Sequence, residues 1–191
     1  MFRVRQLVLL FASVFAATAA LAQQTTFQLD LAKSSVEFTL GDVLHTVHGK
    51  FRMKDSTVRF DRATGVASGT LIADATTGDT DNGARDKKMH KEVLESAKYP
   101  EFRFNVQTVR GNISANGTAQ VEITGVMSIH GSDHPMTVTT PVTVSNGVAS
   151  SDVHFEVPYV QWGIKDPSTF ILRVAKKVDI TVHAVGKLSP E

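Results

Sequence analysis

The chain has 191 residues, 42% of them hydrophobic, which is one domain's worth of sequence with enough apolar material for a core, and this excludes disorder, collagen and coiled coil. Its 20 Lys and Arg against 19 Asp and Glu leave a formal charge of +1, too weak a field to draw nucleic acid. With no cysteine there is no disulfide, thiolate metal site, cysteine nucleophile or lipidated anchor, so packing must hold the fold together.

Residues 1–22 read as a secretory signal: Arg3 and Arg5 precede an apolar run from Leu7 to Ala20, and Ala20-Leu21-Ala22 offers small residues for cleavage before Gln23. The run is too short for the roughly 20 apolar residues of a membrane span. Cleavage near Ala22 would deliver residues 23–191, a nearly neutral domain, to the periplasm or medium.

From Thr26 onward the dominant period is two, the mark of half-buried strands. Phe27, Leu29 and Leu31 alternate with polar residues, as do Val36, Phe38 and Leu40. A segment from Leu44 closes at Gly49 and Phe51, and Val58 and Phe60 lead into the turn Asp61-Arg62-Ala63-Thr64-Gly65. A strand of small residues spans Val66 to Ala75. Between Asn82 and Lys98 the rhythm changes: Met89, Val93, Leu94 and Ala97 recur at helical spacing, predicting an amphipathic helix of about three turns that ends at Tyr99-Pro100. Strand patterning returns with Phe102, Phe104 and Val106, with Ala119, Val121 and Ile123, and with Met127 and Ile129 before a turn over His130-Gly131-Ser132-Asp133. Met136, Val138, Thr140, Val142 and Val144 run to the hairpin dipeptide Asn146-Gly147; Val153, Phe155 and Val157 end at Pro158. A last strand is expected from Phe170 to Val185. The reading is all-β, one antiparallel sandwich or barrel with a helical insert. A closed eight-stranded barrel holds either its own side chains or one ligand, and the thin strand with Gly69, Ala73 and Ala75 leaves both outcomes open.

Chemistry-bearing motifs are sparse. His45 and His48, three apart on a strand, face opposite ways and do not share an ion. His130 and His134 flank a turn and are placed to approach each other, but two imidazoles without a further ligand such as Asp133 or His154 make no metal site. Ser128, two residues before His130, lacks an orienting acid, and no Gly-x-Ser-x-Gly elbow, phosphate loop or dinucleotide fingerprint occurs. The acidic residues are scattered rather than paired for glycoside chemistry. No catalytic residue, metal or cofactor is assigned. Asn112 and Asn116 match glycosylation acceptors of a kind that short sequences produce by chance.

Asn82-Gly83-Ala84-Arg85-Asp86-Lys87-Lys88-Met89, Tyr99-Pro100-Glu101-Phe102-Arg103-Phe104 and the run Gly125 to Met136, together with Gly49-Lys50-Phe51 and Phe60-Asp61, resemble the YceI family of exported bacterial proteins. Met89 replaces the family's usual Leu, and Leu40 to His45 and Tyr159 to Ser168 depart from its common pattern. The resemblance implies a lipocalin-like, eight-stranded antiparallel β-barrel with a helical insert. It also implies a bound isoprenoid or other long-chain amphiphile, such as a fatty-acid-like lipid, and no catalytic residues. The residues expected to line that cavity are Phe38, Phe51, Phe60, Phe104, Val121, Ile123, Met127, Ile129, Val138 and Phe155. Arg85 and Asp86 are expected to pair and anchor the helix over the barrel mouth. The partner expected is a lipid, with no nucleic acid and no stable membrane insertion; a homodimer is left open. The rival readings are an outer-membrane β-barrel, for which one Trp and two Tyr make poor aromatic girdles, and a quinone- or metal-binding redox accessory or enzyme.

Overall fold

The structure, a computed structural model, describes residues 24–41, 46–169 and 173–190. The expected signal segment lies outside the described residues, as does His45. The strands are β1 (Gln24–Leu29), β2 (Ser35–Gly41), β3 (Thr46–Met53), β4 (Thr57–Asp61), β5 (Ala67–Asp79), β6 (Glu101–Arg110), β7 (Gly117–Ile129), β8 (Ser132–Ser145), β9 (Val148–Val157) and β10 (Val178–Pro190). Helix α1 (Gly83–Lys88) and a π-helical turn (Met89–Val93) separate β5 from β6.

These ten strands build an eight-stranded antiparallel barrel. Strands β5 to β10 form a six-stranded meander, and each of the two remaining wall positions is filled by a pair of short strands. β10 pairs with β2 over Asp179–His183 and with β1 over Gly186–Pro190, while β5 pairs with β4 over Ala67–Thr70 and with β3 from Ala73 to Asp79. Joining β1 to β4 and β2 to β3 closes the wall at both ends.

The breaks between paired short strands would orphan backbone groups on the long neighbours, and two serines prevent it. Ser34 Oγ donates to Val185 O at 3.1 Å and accepts from Val185 N at 3.0 Å. Ser56, 2% exposed, accepts from Ile72 N at 3.1 Å and donates to Lys54 O at 2.9 Å. Each hydroxyl stands in for a missing stretch of backbone.

The barrel has two unlike ends. At one, tight turns link the strands: Asn146 and Gly147, with φ of 51° and 75°, form the two-residue hairpin expected there. At the other, His130 and Gly131 make an equally tight turn, with φ of 51° and 79°, beside two longer excursions. The first is the insert after β5. Asn82 caps α1 by accepting from Arg85 N at 3.0 Å, but the expected three-turn helix is shorter and does not stay α-helical. His90 bridges Gly78 O at 2.8 Å and Ser96 Oγ at 3.0 Å, and Leu94 N donates to Met89 O, five residues back. The wider turn stacks Met89 and Leu94 on the barrel side, and Glu95, with φ of 46°, ends it.

The second excursion corrects the expected last strand. β10 begins at Val178, not near Phe170, and Phe170 itself lies outside the described residues. Pro158 ends β9, and a compact turn over Pro158–Ile164 buries Tyr159 and Ile164 against Ile129 and Val157. Tyr159 Oη donates to Ala175 O at 2.7 Å, and Ala175 N donates to Gly41 O at 2.8 Å, which ties the excursion down at both ends.

The β8–β9 joint is thin for two strands of this length. β8 matches β7 over thirteen residue pairs and β9 matches β10 over ten, but β8 and β9 match only from Thr143–Ser150 to Ser145–Val148. Ser145 and Thr143 turn their backbone groups toward β9, and the alternation along a strand gives residues 141 and 135 the same direction. Both are proline, with no N–H to donate. Beyond the short ladder, Thr140 Oγ1 reaches Ser151 Oγ at 2.8 Å and Asp152 O at 3.1 Å.

Candidate functional site

The barrel is not filled by its own side chains. A chamber of about 220 Å³ lies toward the tight-turn end, and a second of about 410 Å³ lies under the insert. Phe102, Ile129, Val157 and Ile180 line both and form a waist between them.

All ten residues expected on the inner face reach this space. Phe38 and Phe51 line the upper chamber; Phe60, Phe104, Val121, Ile123, Met127, Val138 and Phe155 line the lower; Ile129 serves both. Phe38, Phe51, Phe60, Val121 and Ile129 are buried, whereas Phe104, Ile123, Met127, Val138 and Phe155 point inward yet keep accessible surface, which the open chamber explains.

Glycines keep the rings against the wall. Gly49, Gly78, Gly125 and Gly186 each lie where an added Cβ would fall within 3 Å of a Phe ring atom, from Phe38, Phe51, Phe104 and Phe27 in turn. A ring laid over a glycine on a neighbouring strand covers exposed backbone and takes less of the lumen than one projecting inward. Phe51 then packs on Phe38 at 5.2 Å between centroids and meets Phe102 edge-on at 5.2 Å.

The upper chamber also uses residues that alternation did not single out as lining. Met89, Val93 and Leu94 roof it from the insert, and Tyr159, Ile164, Pro167 and Val174 close its side. The helical spacing of the first three was visible, but nothing local marked Pro158–Ile164 as a wall. Burial, and secondarily the charge of Asp166, push the Tyr159 phenol up to about 12, so it stays neutral and holds its hydrogen bond to Ala175 O.

The mouth differs from expectation in one respect. Arg85 and Asp86 do not pair with each other; both grip Thr80. Arg85 donates from Nε to Thr80 Oγ1 and from Nη2 to Thr80 O, each at 2.7 Å, and Asp86 Oδ1 accepts from Thr80 Oγ1 at 2.6 Å and Thr80 N at 3.1 Å. A buried threonine at the end of β5 is thus the pin of the insert.

His130 and His134, expected to approach each other, engage different partners. His130 contacts Glu95 Oε2 at 2.9 Å and packs on Tyr99, while His134 stacks on Trp162 at 4.0 Å between centroids. Ser128 donates to Asp133 at 2.5 Å, and His154 and His48 each meet a threonine hydroxyl on the outer wall. Among the described residues, no group of three or more His, Asp or Glu is placed to hold a metal ion.

The YceI-like domain model matches residues 27–186. The chain belongs to the YceI-like family. Three solved structures share the fold. Burkholderia cenocepacia BcnA is 20% identical with a TM-score of 0.65, covering 82% of this chain and 98% of its own. A polyisoprenoid binding domain from Saccharophagus degradans is 11% identical with a TM-score of 0.66, covering 85% of this chain and 98% of its own. Campylobacter jejuni YceI protein is 15% identical with a TM-score of 0.59, covering 78% of this chain and 86% of its own. No curated protein sequence matches the chain. At these identities the three establish a shared YceI-like architecture.

Proposed function

We propose that this YceI-like protein is a binding protein for a polyisoprenoid or similar long-chain amphiphile, held along the two chambers and working in the periplasm or medium after cleavage near Ala22. The observation that carries this reading is a pair of apolar chambers, one on each side of Phe102, Ile129, Val157 and Ile180, which together extend the apolar lining along the barrel and suit a chain rather than a compact ligand. The Saccharophagus relative, described as a polyisoprenoid binding domain, supports the same ligand class. Burial contributes about 0.8 kcal/mol per CH₂, so a ten-carbon stretch supplies roughly 8 kcal/mol before ordering costs.

The role is binding rather than catalysis: among the described residues the hydroxyls of the lumen, Thr140, Ser150 and Ser151, have no histidine or carboxylate beside them in its lining, and no metal-ligand cluster occurs. The outward series Thr118, Gln120, Glu122 and Thr124 on β7 supports an aqueous location over insertion as an outer-membrane barrel. Among the described residues no helix is long and apolar enough to cross a membrane. Protein purified without detergent from the soluble exported fraction should show, in native against denaturing mass spectra, a stoichiometric long-chain lipid. Recovery only from detergent-solubilised outer membrane would overturn the reading. Bare polypeptide that takes up no long-chain lipid on titration would do the same.

A further inference from the structure

The polar residues at the upper chamber are unevenly charged. Its lining is apolar except for Thr80, Arg85, Lys88 and the Tyr159 hydroxyl, and its two charged members are both cations. Tyr159 Oη and Thr80 Oγ1 are already engaged. Arg85 is balanced nearby, since Asp86 grips the same threonine. Lys88, the other cation of the lining, has no hydrogen-bond or ion-pair partner among the described residues.

Three acids of this end of the barrel are committed elsewhere. Glu92, one turn on, pairs with Lys165 at 3.2 Å, and Glu95 meets His130 at 2.9 Å. Asp166, the acid that acts on Tyr159, is held below the usual carboxylate range, first by hydrogen bonds from Ser168 and then by the charges of Lys176 and Arg173. Lys88 therefore sets an unpaired positive charge beside an apolar space. An ammonium on a four-carbon stem can lay its methylenes on the apolar rim and hold its head at the water boundary.

We infer that the amphiphile carries an anionic oxygen head, a carboxylate or a phosphate ester, seated at Lys88 and Arg85 with its chain running under the insert and past the waist. The inference rests on the lipid-binding reading and adds a head-group chemistry to it. A neutral alcohol fills the same lumen but leaves Lys88 unpaired; a cationic head meets repulsion.

Calorimetric titration of the whole protein with decanoate, decyl phosphate, decanol and decylamine tests this at constant chain length. The expected result is that one or both anions bind about tenfold or more tightly than decanol, with decylamine weakest. Lys88→Gln should reduce the anion advantage over decanol and Lys88→Glu should remove it, each leaving the thermal midpoint unchanged. The stronger of the two anions identifies a fatty-acid-like or a prenyl-phosphate-like source. Decanol binding as tightly as both anions, or an anion advantage that survives in Lys88→Glu, overturns the head-group assignment and leaves the barrel reading standing. Failure of all four to bind overturns both.

Discussion

Phe38 lies directly across from Gly49 in the β2–β3 ladder, and its ring fills the place where a side chain on that glycine would begin. A Cβ at position 49 would come within 2.3 Å of Phe38 Cζ and 2.9 Å of Asp79 O. The chamber stays open because the largest inner side chains lie flat on glycines of the wall.

Gly49→Ala should therefore lower stability by about 1–3 kcal/mol, as overpacking does in a filled site. Urea unfolding of the pure variant checks this. Its long-chain affinity should fall as well, since the displaced ring turns into the upper chamber.

Thr80→Val should loosen the insert. The change strips Arg85 Nε of its acceptor and Asp86 of one donor at a residue that is 5% exposed, a loss of about 1–3 kcal/mol. Amide exchange should accelerate over α1 and the π-turn before it does so in β7. Equal protection in the variant would show that the insert is anchored by its apolar face alone.

Phe104→Asp should leave a folded barrel that no longer retains lipid. Phe104 keeps accessible surface within the lower chamber, so the variant carboxylate adds charge to a cavity lined by Val121 and Met127. Circular dichroism establishes folding, and lipid retention should drop more than tenfold; undiminished retention would remove Phe104 from the binding wall.

Tyr159 gives an alkaline signature. Its folded pKa is raised from an ordinary value near 10 to about 12, so its contribution to stability is complete below pH 10 and is lost as pH climbs through that window. The urea midpoint of the native protein should fall between about pH 10 and 12. Tyr159→Phe should be less stable at neutral pH, having lost the bond to Ala175 O, and should show a shallower decline across the same window.

Much of the barrel was legible because strand alternation is local. Phe104 and Phe155 announce an inner face by the polar residues beside them, and Asn146-Gly147 announces its own turn. The splitting of two wall positions was not legible, since it depends on Ser34 and Ser56 meeting the backbone of Val185 and Ile72 far along the chain. The mouth was half legible. Arg85 and Asp86 were placed there, but their shared partner Thr80 lies at the end of a strand whose pattern says nothing about hydroxyl contacts. Tyr159 and Ile164 form a wall only because Pro158 turns the chain across the barrel end.

The uneven lacing between β8 and β9 sets the direction in which the molecule gives way. Opening β7–β8 or β9–β10 breaks a ladder of thirteen or ten pairs, whereas parting β8 from β9 breaks a few rungs beside Asn146-Gly147 and the reach of Thr140. Of these three joints β8–β9 therefore opens at the lowest cost, by a flap motion hinged at that turn and widening into a slot along Pro135 and Pro141. Thr137 and Thr139 should exchange their amide protons well before the residues they face on β7. A long cargo could then be laid in from the side, where a tube laced all round would have to be threaded from one end.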